Sequence, residues 1–202
     1  IVSVMTLEHL QCVLELNITG LKKIYLRTEL LNDSQLKDAV NMINSKGIDV
    51  YIVMPHIFRK NVWEKQNFEN ECAGYVIKNF EEFTYLTKKC GVTPEKIVTD
   101  AQMYTMNGDA VRFWRENGVE RFTMPFELTM YEMDELADTD GCEFIMYTHI
   151  PMMVSAQCIR HNIDECAALC KDKNKMNDML CFEDRKKRKF MARNYCKYCY
   201  NS

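Results

Sequence analysis

Short apolar runs alternate along this chain with longer stretches in which apolar positions recur every three or four residues. The runs VSVM (2–5), KIYLRT (23–28), DVYIVM (49–54), GYVIK (74–78), KIVTD (96–100), RFTMP (121–125) and EFIMYTH (143–149) are β-branched or aromatic and predict strands. Helical periods follow them. Thr6 can cap TLEHLQCVLEL, with Leu7, Leu10 and Leu14 on one face, and Asp33 or Ser34 can cap SQLKDAVNMINSKG, which stops at Gly47. NFEEFTYLTKKC, MNGDAVRFWRENG and LTMYEMDELADTD run to Gly91, Gly118 and Gly141, each glycine offering the left-handed turn that closes a helix. The pattern is a βα repeat.

Near-continuous apolar strands imply a parallel sheet covered on both faces, and six or seven βα units in a row point to a barrel before an open, doubly wound sheet. The expected fold is therefore α/β and TIM-barrel-like. Seven strands fall short of the eight that close such a barrel. Either PMMVS (151–155) supplies an eighth piece, or the barrel is incomplete or completed by sequence outside this chain. The predicted division is a barrel-like domain over 1–157 and a small cysteine-rich segment over 158–202. No glycine-rich phosphate loop follows the first strand, which argues against a dinucleotide or P-loop site.

In such a fold the chemistry belongs at the carboxyl ends of the strands, and polar residues gather there: Arg27 and Glu29, His56 and Arg59, Lys78 and Asn79, Asp100 and Gln102, Glu127, Tyr147 and His149. Most polar residues at strand ends simply begin a loop. Asp100, Glu127 and His149 are the candidate catalytic residues, because each ends or follows a strongly apolar strand where partial desolvation perturbs its pKa.

Composition changes the picture mainly at the tail. The 202 residues are 47% hydrophobic, enough for a full core, and the net charge is only −3. That charge is uneven: from residue 159 onward there are 11 Lys/Arg against 6 Asp/Glu, and before it 15 against 23. The run RKKRK (185–189) is a solvated surface patch or a seat for RNA phosphate. Tyr195, Tyr198 and Tyr200 beside it are suited to stacking on bases or to shielding a metal cluster. No apolar run is long enough to cross a membrane, and the opening IVSVM carries no signal-peptide pattern. The expectation is a cytoplasmic protein, read as a piece of a longer chain.

Of the ten cysteines, Cys12, Cys72, Cys90 and Cys142 sit singly in apolar segments and read as buried free thiols. The other six crowd the last 45 residues, a distribution that suits metal-ligating thiolates in a reducing compartment better than a disulfide framework. Cys196 and Cys199 form a C-x2-C pair and Cys158 and Cys166 a C-x7-C pair, together four thiolates, enough for a 4Fe-4S cluster or a tetrahedral zinc. Spacing leaves iron–sulfur and zinc open. Cys170 and Cys181 are spare and either can stand in for Cys199.

The stretch KIVTDAQMYTMNGDAVRFWRENGVERFTMPFELTMYEMDEL, then EFIMYTHIPMMVSAQC, then CFEDRKKRKF before the last cysteines, resembles the collagenase-like peptidase family U32. The features that carry it are Asp100 ahead of Asn107, Glu127-Leu128, His149 before Pro151-Met152-Met153, and Asp184-Arg185 ahead of a basic and hydrophobic strand. The resemblance implies a barrel-type fold and a 4Fe-4S cluster held by four cysteines, here Cys158, Cys166, Cys196 and Cys199. It implies a role in hydroxylating RNA bases of tRNA or rRNA, in some members with prephenate as co-substrate, or in ring hydroxylation for quinone synthesis. IRHNIDECAALC lacks the glycines that many members carry between their cysteines and resembles a second module of long multidomain members, whose other domains would be partners. Two other readings stand beside it: a non-catalytic, zinc-stabilised RNA-binding or scaffolding module, and the collagenase-like peptidase of the family label. Neither G-x-S-x-G nor H-E-x-x-H occurs to support proteolysis.

Overall fold

The computed structural model describes residues 1–63, 71–136, 139–163, 166 and 176–202. It divides into two compact units, Ile1–Met54 with Asn67–Thr148, and Pro55–Gln66 with His149–Ser202. No helix among the described residues is long and apolar enough to cross a membrane.

The first unit is the βα repeat. Among the described residues its sheet holds β1 (Val2–Val4), β2 (Lys23–Arg27), β3 (Asp49–Val53), β4 (Gly74–Ile77), β5 (Ile97–Thr99), β6 (Arg121–Thr123) and β7 (Cys142–Glu143), paired in chain order and all parallel. The helices between them start where short polar side chains satisfy the first free backbone N–H groups. Thr6 caps α1 (Leu7–Glu15), Asn79 caps α4 (Phe80–Lys88), and Asn107 caps α5 (Gly108–Glu116). Asn32, rather than Asp33 or Ser34, caps α2 (Asp33–Ser45), because it forms a reciprocal capping box with Gln35. Thr129 and Glu132 do the same for α6 (Met130–Asp134).

Period two sorts the strand residues onto two faces. Ile24, Leu26, Val50, Ile52, Ile77, Ile97 and Phe122 are fully buried, together with Leu36, Val40 and Ile43 of α2, which packs on β3. The alternate positions, Tyr25, Tyr51, Val53, Val76 and Val98, form a second buried cluster on the opposite face. Tyr51 packs against Gly74, where an added Cβ would come within 2.6 Å of its ring and 2.1 Å of the Lys96 carbonyl oxygen.

This second face is the inside of a curled half-barrel. Glu143 on β7 accepts hydrogen bonds from the Lys23 ammonium at 3.2 Å and from the Tyr25 hydroxyl, both on β2. In a flat sheet strands five places apart lie about 24 Å from each other, so only a curled one brings β2 and β7 side chains together. Arg121 donates to the Tyr51 hydroxyl and its guanidinium sits 5.0 Å from that ring, adding to the same interior layer.

Several expectations change. β7 covers two residues instead of the predicted 143–149, and Phe144, Met146 and Tyr147 are exposed. Gly141 does not close α6, which ends at Asp134; its φ of +76° lets the chain pass the Glu120 carbonyl, 2.0 Å from where a Cβ would stand. Cys12 is exposed on the outer face of α1, not buried. PMMVS adds no strand to the parallel sheet; its Ser155 bridges Asn201 in the second unit.

The second unit contains α3 (Lys60–Trp63), α7 (Ile159–Ile163) and an antiparallel sheet of β8 (Met179–Glu183), β9 (Lys189–Tyr195) and β10 (Tyr200–Asn201) in the order β10-β9-β8. Tyr195, Tyr198 and Tyr200 are buried, with the Tyr195 and Tyr200 rings 4.7 Å apart. They are core residues and offer no face for stacking on bases.

Candidate functional site

Two groups of chemically capable residues stand out, one in each unit. In the first unit they lie at the carboxyl ends of β2, β4 and β5. Glu29, two residues beyond β2, is buried, and its carboxylate receives the Arg27 guanidinium at 2.8 Å and 3.4 Å. Lys78, directly after β4, places its ammonium 3.9 Å from the same carboxylate. Burial alone would raise the pKa of Glu29, but Arg27 and Lys78 overcome it and bring the carboxyl down to about 2. Burial, aided by Arg27, pulls the Lys78 pKa below its ordinary value, against the carboxylates of Glu29, Asp100 and Glu82.

Glu82 in the first turn of α4 is fully buried beside them. Its oxygens accept the Lys78 backbone N–H at 2.6 Å and the Asn79 side-chain amide at 2.9 Å, so it ties the end of β4 to the start of α4. Burial outweighs these bonds and pushes its carboxyl up to about 8.

Asp100 belongs to this neighbourhood. The pairing Ile77↔Thr99 continues to Lys78 and Asp100, and the Asp100 N–H donates to the Ile77 carbonyl at 2.8 Å. Its carboxylate also caps the short 3-10 turn Ala101–Met103 through the Gln102 N–H at 3.1 Å. Glu127 is exposed in the turn after β6, and among the described residues no hydrogen bond or ion pair links it to Asp100. His149 is exposed and falls in the second unit. Arg27, Glu29 and Lys78 are visible in the sequence as polar strand ends; Glu82 is not, because it sits on a helix whose pattern reads as ordinary surface.

In the second unit Cys196 is half-buried and senses two other cysteines of the tail. Its thiol pKa is raised, first by burial and then by the charges of Cys158 and Cys166, while the Asn177 N–H, 3.4 Å from Sγ, opposes the rise. Asn177 also accepts the Cys196 N–H at 2.9 Å, clamping this corner of the chain. Cys199 is exposed at a φ of +53° and Cys181 is exposed on β8, while Cys170 lies outside the described residues. Among the described residues no three His, Cys, Asp or Glu side chains converge at metal-binding distance. Cys158, Cys166 and Cys196 supply soft thiol donors, the type that a bound thiophilic cation converts to thiolates.

The β8–β9 turn carries the basic run. Asp184 accepts the backbone N–H groups of Lys186 and Arg188 at 2.7 Å and 2.9 Å, and the Arg188 guanidinium at 2.8 Å. This holds the turn tight, with Lys187 at a φ of +59°, and leaves Arg185, Lys186, Lys187, Arg188 and Lys189 all exposed.

Comparison with curated proteins and with solved structures returned no significant match. The family model described as peptidase family U32 matches residues 16–200. That span takes in the strand-end cluster, the tail cysteines and the basic turn alike, and the chain belongs to peptidase family U32.

Proposed function

We propose that this chain is an iron–sulfur-dependent module of RNA base hydroxylation, acting on tRNA or rRNA in the cytoplasm, with Cys158, Cys166, Cys196 and Cys199 as ligands of a 4Fe-4S cluster. The observation that carries the reading is that Cys158 and Cys166 lie near enough to Cys196 to raise its thiol pKa, in a unit with a small apolar core. A cluster held there supplies one-electron transfer. The Asn177 clamp would orient Cys196, and the basic turn at 185–189 would seat RNA phosphate. Asp100, Glu127 and His149 remain the proposed substrate-site residues, with prephenate as a co-substrate and other domains of a longer parent chain as partners.

Anaerobic purification tests this directly. The expected product is a brown protein with about four iron and four sulfide per chain, and Cys158→Ser, Cys166→Ser or Cys196→Ser lowers both. A colourless protein holding one zinc per chain overturns it and favours the second reading, a zinc-stabilised RNA-binding module without catalysis. The exposed, Asp184-braced basic turn is the observation that favours that alternative. Proteolysis, which the family label names, is checked by gelatin cleavage that survives loss of the tail cysteines and fails with Glu127→Ala.

A further inference from the structure

Lys78 carries a largely buried amine in the strand-end cluster of the first unit. Its side chain is 4% exposed, and among the described residues the one charge partner within ion-pair distance is Glu29 at 3.9 Å, too far for a hydrogen bond. Among the described residues no acceptor lies within hydrogen-bond distance of its Nζ, so its three donor positions are uncommitted and meet solvent through a narrow opening. Glu29 is not available to come closer, because Arg27 already holds both of its oxygens. Glu82 meanwhile fixes the Lys78 backbone through a 2.6 Å hydrogen bond, so the amine is carried on a rigid support.

Charge decides what can bind there. Glu29 is ionised and Asp100 stands next to Lys78 in strand register, so an incoming carboxylate or phosphate meets two acidic side chains, while Arg27 is already occupied. A neutral ligand meets no such repulsion. Because Lys78 as a whole keeps 8% of its surface exposed, the ligand must be small.

We propose that Lys78 is a covalent carbonyl-binding site that forms an imine with a small neutral aldehyde or ketone. The Nζ lone pair attacks the carbonyl carbon, making the C–N bond as the C=O π pair moves to oxygen. A proton passes from nitrogen to that oxygen, and the resulting hydroxyl leaves as water when the second proton reaches it, giving C=N. Water is the only by-product and no oxidant or reductant is consumed. The depressed pKa of Lys78 favours this chemistry, since only the free amine is a nucleophile. This site stands apart from the proposed cluster function, and either reading can fail without the other.

The test uses the intact protein with glyceraldehyde and sodium cyanoborohydride, which reduces an imine to a stable secondary amine, followed by peptide mapping by mass spectrometry. Lys78 should be labelled faster than the exposed Lys186, Lys187 and Lys189, because a lowered pKa leaves more of it as free amine. Lys78→Arg should lose that label and keep the slow labelling elsewhere, with circular dichroism checking its fold. Equal labelling of Lys78 and the exposed lysines in the unmutated protein overturns the proposal, whatever the variant does. Faster labelling by glyoxylate than by glyceraldehyde overturns the assignment to a neutral ligand.

Discussion

Glu82→Gln isolates the electrostatic cost of the strand-end cluster. In the folded protein the Glu82 carboxyl is raised from 4.5 to about 8, while in the unfolded chain it titrates normally. Between these two values the unfolded chain has released its proton and the folded protein still holds it. The contribution is fully present below pH 4.5 and is lost as pH rises through the folded pKa. At about 1.4 kcal/mol for each pH unit, the loss over this window is about 5 kcal/mol. Glutamine keeps a neutral oxygen to accept the Lys78 N–H at every pH, though its amide nitrogen faces the Asn79 amide, a mismatch costing about 1 kcal/mol. Urea unfolding followed by circular dichroism, at pH values from about 4.5 to about 8.5, measures both proteins. The variant should be slightly the weaker in acid and the stronger in base, with the difference moving by about 5 kcal/mol in its favour. A difference that stays flat across the range refutes the reasoning, since other titrating groups are common to both proteins.

Glu29→Gln should act in the opposite window. The folded carboxyl lies at about 2, so its contribution is present above pH 4.5 and is lost as pH falls toward 2. At neutral pH the change leaves Lys78 and Arg27 without their shared partner and should cost about 3–5 kcal/mol in urea unfolding; less than about 1 kcal/mol would mean that the cluster is effectively solvated. Gly74→Ala drives a methyl into the Lys96 carbonyl and the Tyr51 ring and should destabilise by about 2–3 kcal/mol by the same assay, with an unchanged midpoint refuting the close approach. Replacing Arg185, Lys186, Lys187 and Lys189 by serine should reduce the salt dependence of single-stranded RNA binding, by about 0.7 in log–log slope for each phosphate that is no longer neutralised. A slope equal to that of the unmutated protein would remove the basic turn from the interface.

The strands are the most legible part of the molecule. β-branched runs flanked by turn residues locate β1 to β6, and Thr6 and Asn107 stand where the chain needs caps. The failures have local physical causes. EFIMYTH has the composition of a full strand, but its neighbour β6 is only three residues long, so pairing stops after Glu143. The tail, whose periods fade on paper, forms a sheet because a tight Asp184 turn sets the β8–β9 register and three tyrosines fill the core beside it.

The site is legible in its parts but not in its grouping. Arg27, Glu29, Lys78 and Asp100 each announce themselves at a strand end, yet their proximity depends on register and curl, which no single strand encodes. Glu127 follows an apolar strand just as Asp100 does and stays exposed, because the turn after β6 carries it outward. Among the cysteines, spacing points to Cys158, Cys166, Cys196 and Cys199, and the first two act on the Cys196 thiol. Cys199, placed with them by its C-x2-C spacing, is exposed in a left-handed conformation.

The hydrogen bonds that draw Glu143 to Lys23 and Tyr25 also bear on the order of folding. They join residues 120 and 118 positions apart, whereas each strand and its neighbour in the sheet are separated by a single βα connection. Neighbouring strands therefore close small loops early. The Glu143 contact recovers its loop-closure entropy only after the intervening strands are in place. Curling is thus the last event in building the first unit and the first to be undone. Weakening the Glu143 hydrogen bonds would shorten the lifetime of the native state while leaving the refolding rate nearly untouched.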